Sequence, residues 1–449
     1  VKFWISQNFD ATGKANDVTA ANKRSVFAWC LYDWGNTAFG TVIITFVFSV
    51  YFARVVVGDE THGAALWGYA IAASGFLIAV LSPFVGAVVD HYGPRKPGLM
   101  IFSLLCVIPT ALLYFAAPGA GTALVMACLC LLVVANMGYE IALVYANAML
   151  PHIAPPAMIG RISGWAWGMG YAGGLACLVV ALFGFVGLGD APPLLPVSEA
   201  ESQNVRLTAP LVAAWYAIFM LPLLFWAHDV PRTGLSVRAS MNAGLTQLRG
   251  VVKLARGHKN LALYLCGSAL YRDGLNTLFA MGGLYAAGMF GMSFQDILIF
   301  AIGLNVTAGI GAALFAFMDD RLGSKAVIAG SLLGLIAAGV LVLMAADKNQ
   351  FIMLALVLGI FIGPVQAASR TLVARLSPPD LTGQSYGIFN LTGRAVAFIG
   401  PLFFAAATQI FETQKAGMVS IILFWVVGLA FLAFVRENKG HEHYTPPVA

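Results

Sequence analysis

Twelve times along its length the chain runs apolar for about twenty residues or more, and this recurrence constrains the fold more than any other feature of it. A helix crosses a bilayer's hydrocarbon core in about 20 residues, at roughly 1.5 Å per residue. In lipid only helices and closed barrels satisfy every backbone polar group. The runs cover 26–55, 64–89, 97–118, 121–149, 160–187, 208–228, 260–290, 294–318, 325–346, 350–376, 382–410 and 415–435. They are too long for barrel strands, so the sequence predicts an all-α polytopic membrane protein with twelve transmembrane helices. Composition agrees: only 10% of residues are charged, against about 25% in soluble domains. Mean hydropathy is +0.83.

Short connections rich in Pro, Gly or charge separate the runs: HYGPRKPG, APGAG, LPHIAPPAMIGR and LSPPDLTG. Two are longer, the acidic stretch before run six and the basic stretch before run seven. The opening segment VKFWISQNFDATGKANDV is too polar for a secretory signal and reads as a tail. The expected organisation is a cytoplasmic N-terminal tail (1–25), a six-helix bundle (26–228), a basic cytoplasmic linker (229–259), a second six-helix bundle (260–436) and a cytoplasmic C-terminal tail (437–449). Eighteen Lys and Arg residues fall on the side that holds both termini and four on the other. By the positive-inside bias, both termini are expected in the cytoplasm. The net charge of +5 is this topological signal, so no nucleic-acid partner is expected. In the linker, Leu245, Leu248 and Val252 recur at helical spacing among Arg249, Lys253 and Arg256. That pattern suits either a helix lying on the inner leaflet or a solvated basic linker. All six cysteines sit in apolar runs, where packing is the expected use and neither a disulfide framework nor a metal site is.

The chain also repeats itself. From Asp33 it reads D-W-G-N-T-A-F, and 240 positions later, from Asp273, D-G-L-N-T-L-F; each copy follows a Leu-Tyr pair, with Arg272 inserted in the second. On a helix Asp33, Asn36 and Thr37 share one face, as do Asp273, Asn276 and Thr277. A second pair matches: GAVVDHYGPRK closes run two and AFMDDRLGSK closes run eight. Each holds Asp-x-x-Gly-x-base: Asp90, Gly93, Arg95 in one and Asp320, Gly323, Lys325 in the other. Two six-helix halves related by a parallel repeat, with solute held near the midplane, are a transporter architecture.

The first of these loops resembles the signature loop of the major facilitator superfamily through Gly86, Asp90, Gly93, Arg95 and Lys96, with His91 at a position usually basic. The second keeps Asp320, Arg321, Gly323 and Lys325. Within that superfamily WCLYDWGNTAFGTVIITFVFSVYF, LYRDGLNT, VYANAMLPHI, RISGWAWGMGYAGG and YGIFNLTGRAVAFIGP are similar to the Atg22-like vacuole effluxer group. The resemblance covers most of the chain. It implies two pseudo-symmetric six-helix bundles and secondary transport, with amino-acid efflux assigned to the fungal member. It further implies that the Asp90 loop is a gate, its carboxylate meeting the helix start at Pro378, Pro379 and Asp380. Span four lacks the arginine pattern of drug/proton antiporters and span five their Gly-Pro signature, which counts against drug export.

Away from helix ends, six ionisable residues lie within the runs: Asp33, Glu140, Arg272, Asp273, Arg370 and Arg394. A charge inside a membrane is costly and marks function or a fixed partner. From their cytoplasmic ends Asp33 lies roughly 12 Å deep, Glu140 about 15 Å, and Arg272, Asp273 and Arg394 about 18 Å, while Arg370 is shallower at about 9 Å. The candidate substrate or coupling set is therefore Asp33, Asn36, Thr37, Glu140, Arg272, Asp273, Asn276, Thr277 and Arg394. Asp33 and Glu140 are the candidates for proton or cation coupling; the competing reading of each is a permanent salt bridge. Arg394 suits either an anionic substrate group or a neighbouring acid. The expected function is a secondary active transporter moving a small polar or zwitterionic solute, amino acids foremost, by alternating access with H+ or Na+. A lipid or glycoside carrier and a non-transporting sensor are the alternatives. No H-E-x-x-H, Gly-x-Ser-x-Gly or Walker A pattern occurs, so neither an enzyme nor a cofactor or metal is expected. The chain is expected to act as a monomer in the plasma membrane.

Overall fold

A computed structural model describes residues 21–119, 121–154, 159–187, 193–198, 200–229, 231, 233, 234, 236, 239–242, 258–377 and 382–436. The linker pattern over 245–256, residues 1–20 of the N-terminal tail, the C-terminal tail and the helix start at 378–380 lie outside them, while residues 21–25, expected as tail, are helical. Among the described residues the chain makes twelve long helical passes: α1 (Lys23–Val57), α2 (Glu60–His91), α3 (Lys96–Leu112), α4 (Thr122–Ile153), α5 (Ile159–Ala181), α6 (Thr208–Trp226), α7 (Lys259–Phe290), α8 (Phe294–Leu322), α9 (Ser324–Leu343), α10 (Lys348–Leu376), α11 in two pieces (Thr382–Val396 and Ile399–Ile410) and α12 (Gln414–Phe434). Ten passes are apolar and long enough to cross a membrane. The other two are α7 and α8, at 32 and 29 residues. In α7 the polar residues Arg272, Asp273, Asn276 and Thr277 interrupt the apolar run.

Large apolar side chains remain exposed along many passes, among them Phe76, Ile101, Met126, Ile218, Val357 and Leu423. An exterior so rich in large apolar side chains suits lipid rather than water. The most apolar stretch of α1 is 72% buried, whereas no other of the ten candidate spans exceeds 44%. The helix that carries Asp33 is therefore interior.

Two features of α1 and α11 were not predicted. α1 is π-helical over Phe39–Phe46 and again over Phe52–Val57, a widened turn that recurs at functional sites. α11 breaks between Val396 and Ile399. Pro401 lacks an N–H and disfavours helical geometry in the residue before it, which accounts for an interruption nearby.

By contact density the chain forms two compact units. The first comprises Val1–Ile44, Val85–Phe115 and Val134–Asn242. Here α1 packs on α5 and α6, and α3 on α6. The hydroxyls of Tyr32, Tyr216 and Ser103 link α1, α6 and α3 at 2.8 and 3.2 Å. Trp34 stacks on Trp215 at 6.3 Å between ring centres.

The second unit comprises Thr45–Phe84, Ala116–Val133 and Ala243–Ala449. α7 packs on α12 and α11, and α10 on α8 and α9. The last part of α1, from Thr45, and α2 as far as Phe84 belong to this unit. Gly283 of α7 lies directly against the Thr45 carbonyl, and Gly75 of α2 faces Phe398, where an added Cβ would stand 3.0 Å from the Phe398 Cβ. The unit boundary thus crosses α1, α2 and α4, whereas the sequence repeat divides the chain at the linker.

Candidate functional site

In the first unit Asp33 is half-buried on α1. Its Oδ1 accepts from Asn36 Nδ2 at 3.2 Å, and Thr37 Oγ1 donates to the Asp33 carbonyl at 2.8 Å. The i, i+3, i+4 spacing brings these groups together, as the sequence predicts. Asn36 is buried, and Thr37 is half-buried. Glycines of α5 admit this face: a Cβ on Gly170 would meet Thr37 Oγ1 at 2.8 Å and the Asp33 carbonyl at 3.3 Å, while Gly173 lies against the Trp34 backbone. Glu140 is half-buried on α4 beside Tyr139. Tyr139 lies within electrostatic reach of both Glu140 and Asp33, so the two acids share one neighbourhood.

In the second unit the repeated word is used differently. Asp273 is 1% exposed, and its Oδ2 accepts from the backbone N–H of Gly400 at 2.7 Å. Gly400 opens the second piece of α11, whose first N–H groups have no partner within their own helix. A carboxylate there receives a charge-assisted hydrogen bond and meets the positive end of the helix dipole. Thr277 Oγ1 donates to the Asp273 carbonyl at 2.8 Å, and a Cβ on Gly400 would collide with Thr277 Oγ1 and crowd the Asp273 carboxyl. The ridge Asp-x-x-x-Thr therefore receives a glycine in both copies, Gly170 from α5 and Gly400 from α11. Asn276, by contrast, is exposed.

Arg272 points elsewhere, as expected of a residue about 100° around the helix from Asp273. Its guanidinium lies over the Phe389 ring, 4.0 Å from the centroid, and Nη1 donates to the Phe389 carbonyl at 3.1 Å. Gly393 leaves room for it: a Cβ there would stand 2.9 Å from Nη1. Arg370 and Arg394 act on Arg272 as like charges; Arg394 is half-buried and Arg370 exposed. Neither Asp33 nor Asp273 forms an ion pair with a described residue. Asp33 keeps a neutral amide, and Asp273 takes a backbone N–H instead.

The loop residues are ties at helix ends. Gly93 and Gly323 have φ of 110° and 90°, a region that disfavours any residue with a Cβ, which accounts for the glycine in both copies. Arg95 is largely buried, with Nη1 2.6 Å from both the Ala148 carbonyl and His152 Nδ1. The backbone N–H groups of Arg95 and Lys96 donate to Asp229, a residue not anticipated, at 2.7 and 3.2 Å. In the second copy Lys325 Nζ donates to the carbonyls of Ala433 and Val435, at 3.2 and 2.6 Å. Either way the start of α3 or α9 is tied to the chain just past α6 or at the end of α12. Arg321 is exposed, and a Cβ on Gly86 would meet open space. The side chains of Asp90 and Asp320 lie outside the described residues.

Sequence reasoning also missed a network at the opposite ends of the helices. Arg54 Nε binds Glu60 at 2.6 Å, while Nη1 and Nη2 donate to the carbonyls of Met292 and Ala287, both at 3.2 Å. Gln414 Nε2 donates to the Glu60 carbonyl at 2.9 Å. Arg54 thereby satisfies carbonyls at and just past the C-terminal end of α7.

Twelve helices arranged in this order, with a repeated acidic face on α1 and α7, define a transporter of the major facilitator class. A crystal structure of the nucleoside transporter NupG shares the fold with a TM-score of 0.64 at 18% identity, over 92% of this chain and 99% of that one. The family described as "Vacuole effluxer Atg22 like" matches residues 53–444, and the chain belongs to it. An uncharacterized MFS-type transporter of Bacillus subtilis, YxiO, is 26% identical over 418 residues, spanning 92% of this chain and 95% of that protein. Autophagy-related protein 22 of Cryptococcus neoformans is 22% identical over 302 residues, 63% of this chain and 54% of its own length. The match thus spans about half of that fungal relative. The chain is a multi-pass integral membrane protein of transporter type.

Proposed function

We propose that the chain is a secondary active transporter that moves a small polar or zwitterionic solute, amino acids foremost, by alternating access, with Asp33 as the proton-coupling carboxylate. The observation that carries this reading is Asp33 itself: an acid within a membrane helix, half-buried, held by one neutral amide and by no cation among the described residues. A carboxylate so placed exchanges a proton or an ion more readily than one locked in a salt bridge. Glu140 nearby supplies a second acceptor on the same route. The amino-acid assignment draws on the family and its fungal members, and the placement of both termini in the cytoplasm on the Lys and Arg asymmetry; residence in the plasma membrane is part of the same proposal.

The test is uptake of a radiolabelled amino-acid panel into proteoliposomes under an imposed proton gradient. Wild type is expected to accumulate at least one solute. Asp33→Asn is expected to lose accumulation by at least tenfold while still exchanging labelled for unlabelled solute across the membrane. Accumulation by Asp33→Asn equal to wild type removes the coupling role. No flux above empty vesicles for any solute removes the amino-acid reading.

A further inference from the structure

Three intramembrane arginines of the second unit are not distributed at random. Arg272, Arg370 and Arg394 come from α7, α10 and α11, and they lie within electrostatic reach of one another at Arg272. Like charges gathered in a membrane protein repel in a medium of low dielectric, and the chain spends considerable structure on keeping them there. Tyr264 and Tyr271 of α7 bond to Ser369 of α10, through its carbonyl and its hydroxyl, both at 2.6 Å; Arg370 is the next residue. Tyr264 stacks almost parallel on Phe389 of α11, at 6.3 Å and 5°, and Phe389 in turn carries the Arg272 guanidinium on its face and its carbonyl. Gly393, which clears the space for that guanidinium, directly precedes Arg394. Arg272 is thus seated on a polar and aromatic scaffold that runs across three helices, with Arg370 and Arg394 next in sequence to Ser369 and Gly393.

Within this scaffold the Arg272 head is held and only partly used. A guanidinium has five N–H donors, and one of them is engaged by a described residue, at the Phe389 carbonyl. No acid is among the leading charged influences on Arg272, and Asp273, its neighbour in sequence, is already engaged with Gly400. A planar fork held on an aromatic face, with several donors left over and further positive charge beside it, matches a carboxylate or a phosphate and little else.

We propose that Arg272 is the docking group for an oxyanion, a carboxylate or a phosphate monoester, on the transported solute, with Phe389 and Gly393 as positioning residues. This deepens the transport reading by naming the chemical class that such a carrier takes.

The test measures binding apart from flux. The full-length protein in detergent is titrated with two pairs of probes, L-leucine against L-leucinamide and glucose 6-phosphate against glucose, with thermal stabilisation as the readout. In the supporting outcome one probe that bears the oxyanion stabilises wild type and its counterpart without that group does not; which pair responds separates carboxylate from phosphate. Arg272→Gln is expected to raise the half-saturating concentration at least tenfold, and Arg272→Lys to retain part of the binding. Should Arg272→Gln fail to fold, Gly393→Ala keeps the charge but displaces the guanidinium, and the same weakening is expected. Equal binding of the probes with and without the oxyanion overturns the inference, as does unchanged affinity in the folded variants or the lack of any response to either L-leucine or glucose 6-phosphate. If anions bind with no flux in liposomes, transport falls and the Arg272 assignment stands. Flux of neutral solutes untouched by Arg272→Gln has the opposite meaning.

Discussion

Changing Asp273 to Asn keeps an amide oxygen where the carboxylate now accepts the Gly400 N–H at 2.7 Å. If that residue caps the second piece of α11, Asp273→Asn folds and transports near the wild-type level. Asp273→Ala strands a buried N–H and loses about 2 kcal/mol of stability, seen as a lower midpoint of thermal unfolding in detergent. Gly400→Ala is expected to be at least as damaging, because its Cβ has no space between Thr277 and Asp273. Asp33→Asn, by contrast, is expected to fold well and fail in coupling. The repeated word announces both acids, and its spacing places Asn36 and Thr37 beside Asp33. What it does not announce is that Asp273 meets Gly400, 127 residues away, since no local pattern says which glycine a ridge will receive. For the same reason nothing local to α5 announces that its Gly170 and Gly173 meet Thr37 and Trp34.

At the scale of elements, helix extents were legible because apolar length is a direct physical requirement of a bilayer. The run 260–290 became Lys259–Phe290, and 350–376 became Lys348–Leu376. The break in α11 had a signal, the Gly-Pro at Gly400 and Pro401, whereas the π-helical turns of α1 had none. The Arg54 network is likewise invisible in sequence, because its acceptors are backbone carbonyls. It joins the end of α1 and the start of α2 to the end of α7, so its loss should loosen that end locally. Arg54→Ala is expected to speed amide hydrogen exchange over residues 279–292 by about tenfold, equivalent to about 1.4 kcal/mol and in the range of a charged hydrogen bond. Exchange unchanged in that segment would mean that the carbonyls find equal partners without the arginine.

For the molecule as a whole, alternating access requires contacts between the two halves of the chain to part and re-form. The second unit contains such contacts, where Gly75 of α2 meets Phe398 at the break of α11. A disulfide in place of this pair, Gly75→Cys with Phe398→Cys, spans a Cβ separation near the usual range of about 3.5–4.5 Å. Oxidation in a background lacking the exposed Cys130 and Cys266 is expected to stop flux, preserve folding, and reverse on reduction. Flux that continues in the oxidised pair would show that α2 and α11 stay together throughout the cycle.

The stacked indoles of Trp34 and Trp215 have a practical consequence. Trp34 follows Asp33 in the chain, and its carbonyl accepts the Trp215 Nε1–H at 3.4 Å. Any proton or solute that arrives at that carboxylate alters the electric field across a coupled pair of emitters. Binding at Asp33 is therefore expected to shift the protein's intrinsic fluorescence, a change read without a label and reduced by Trp34→Phe.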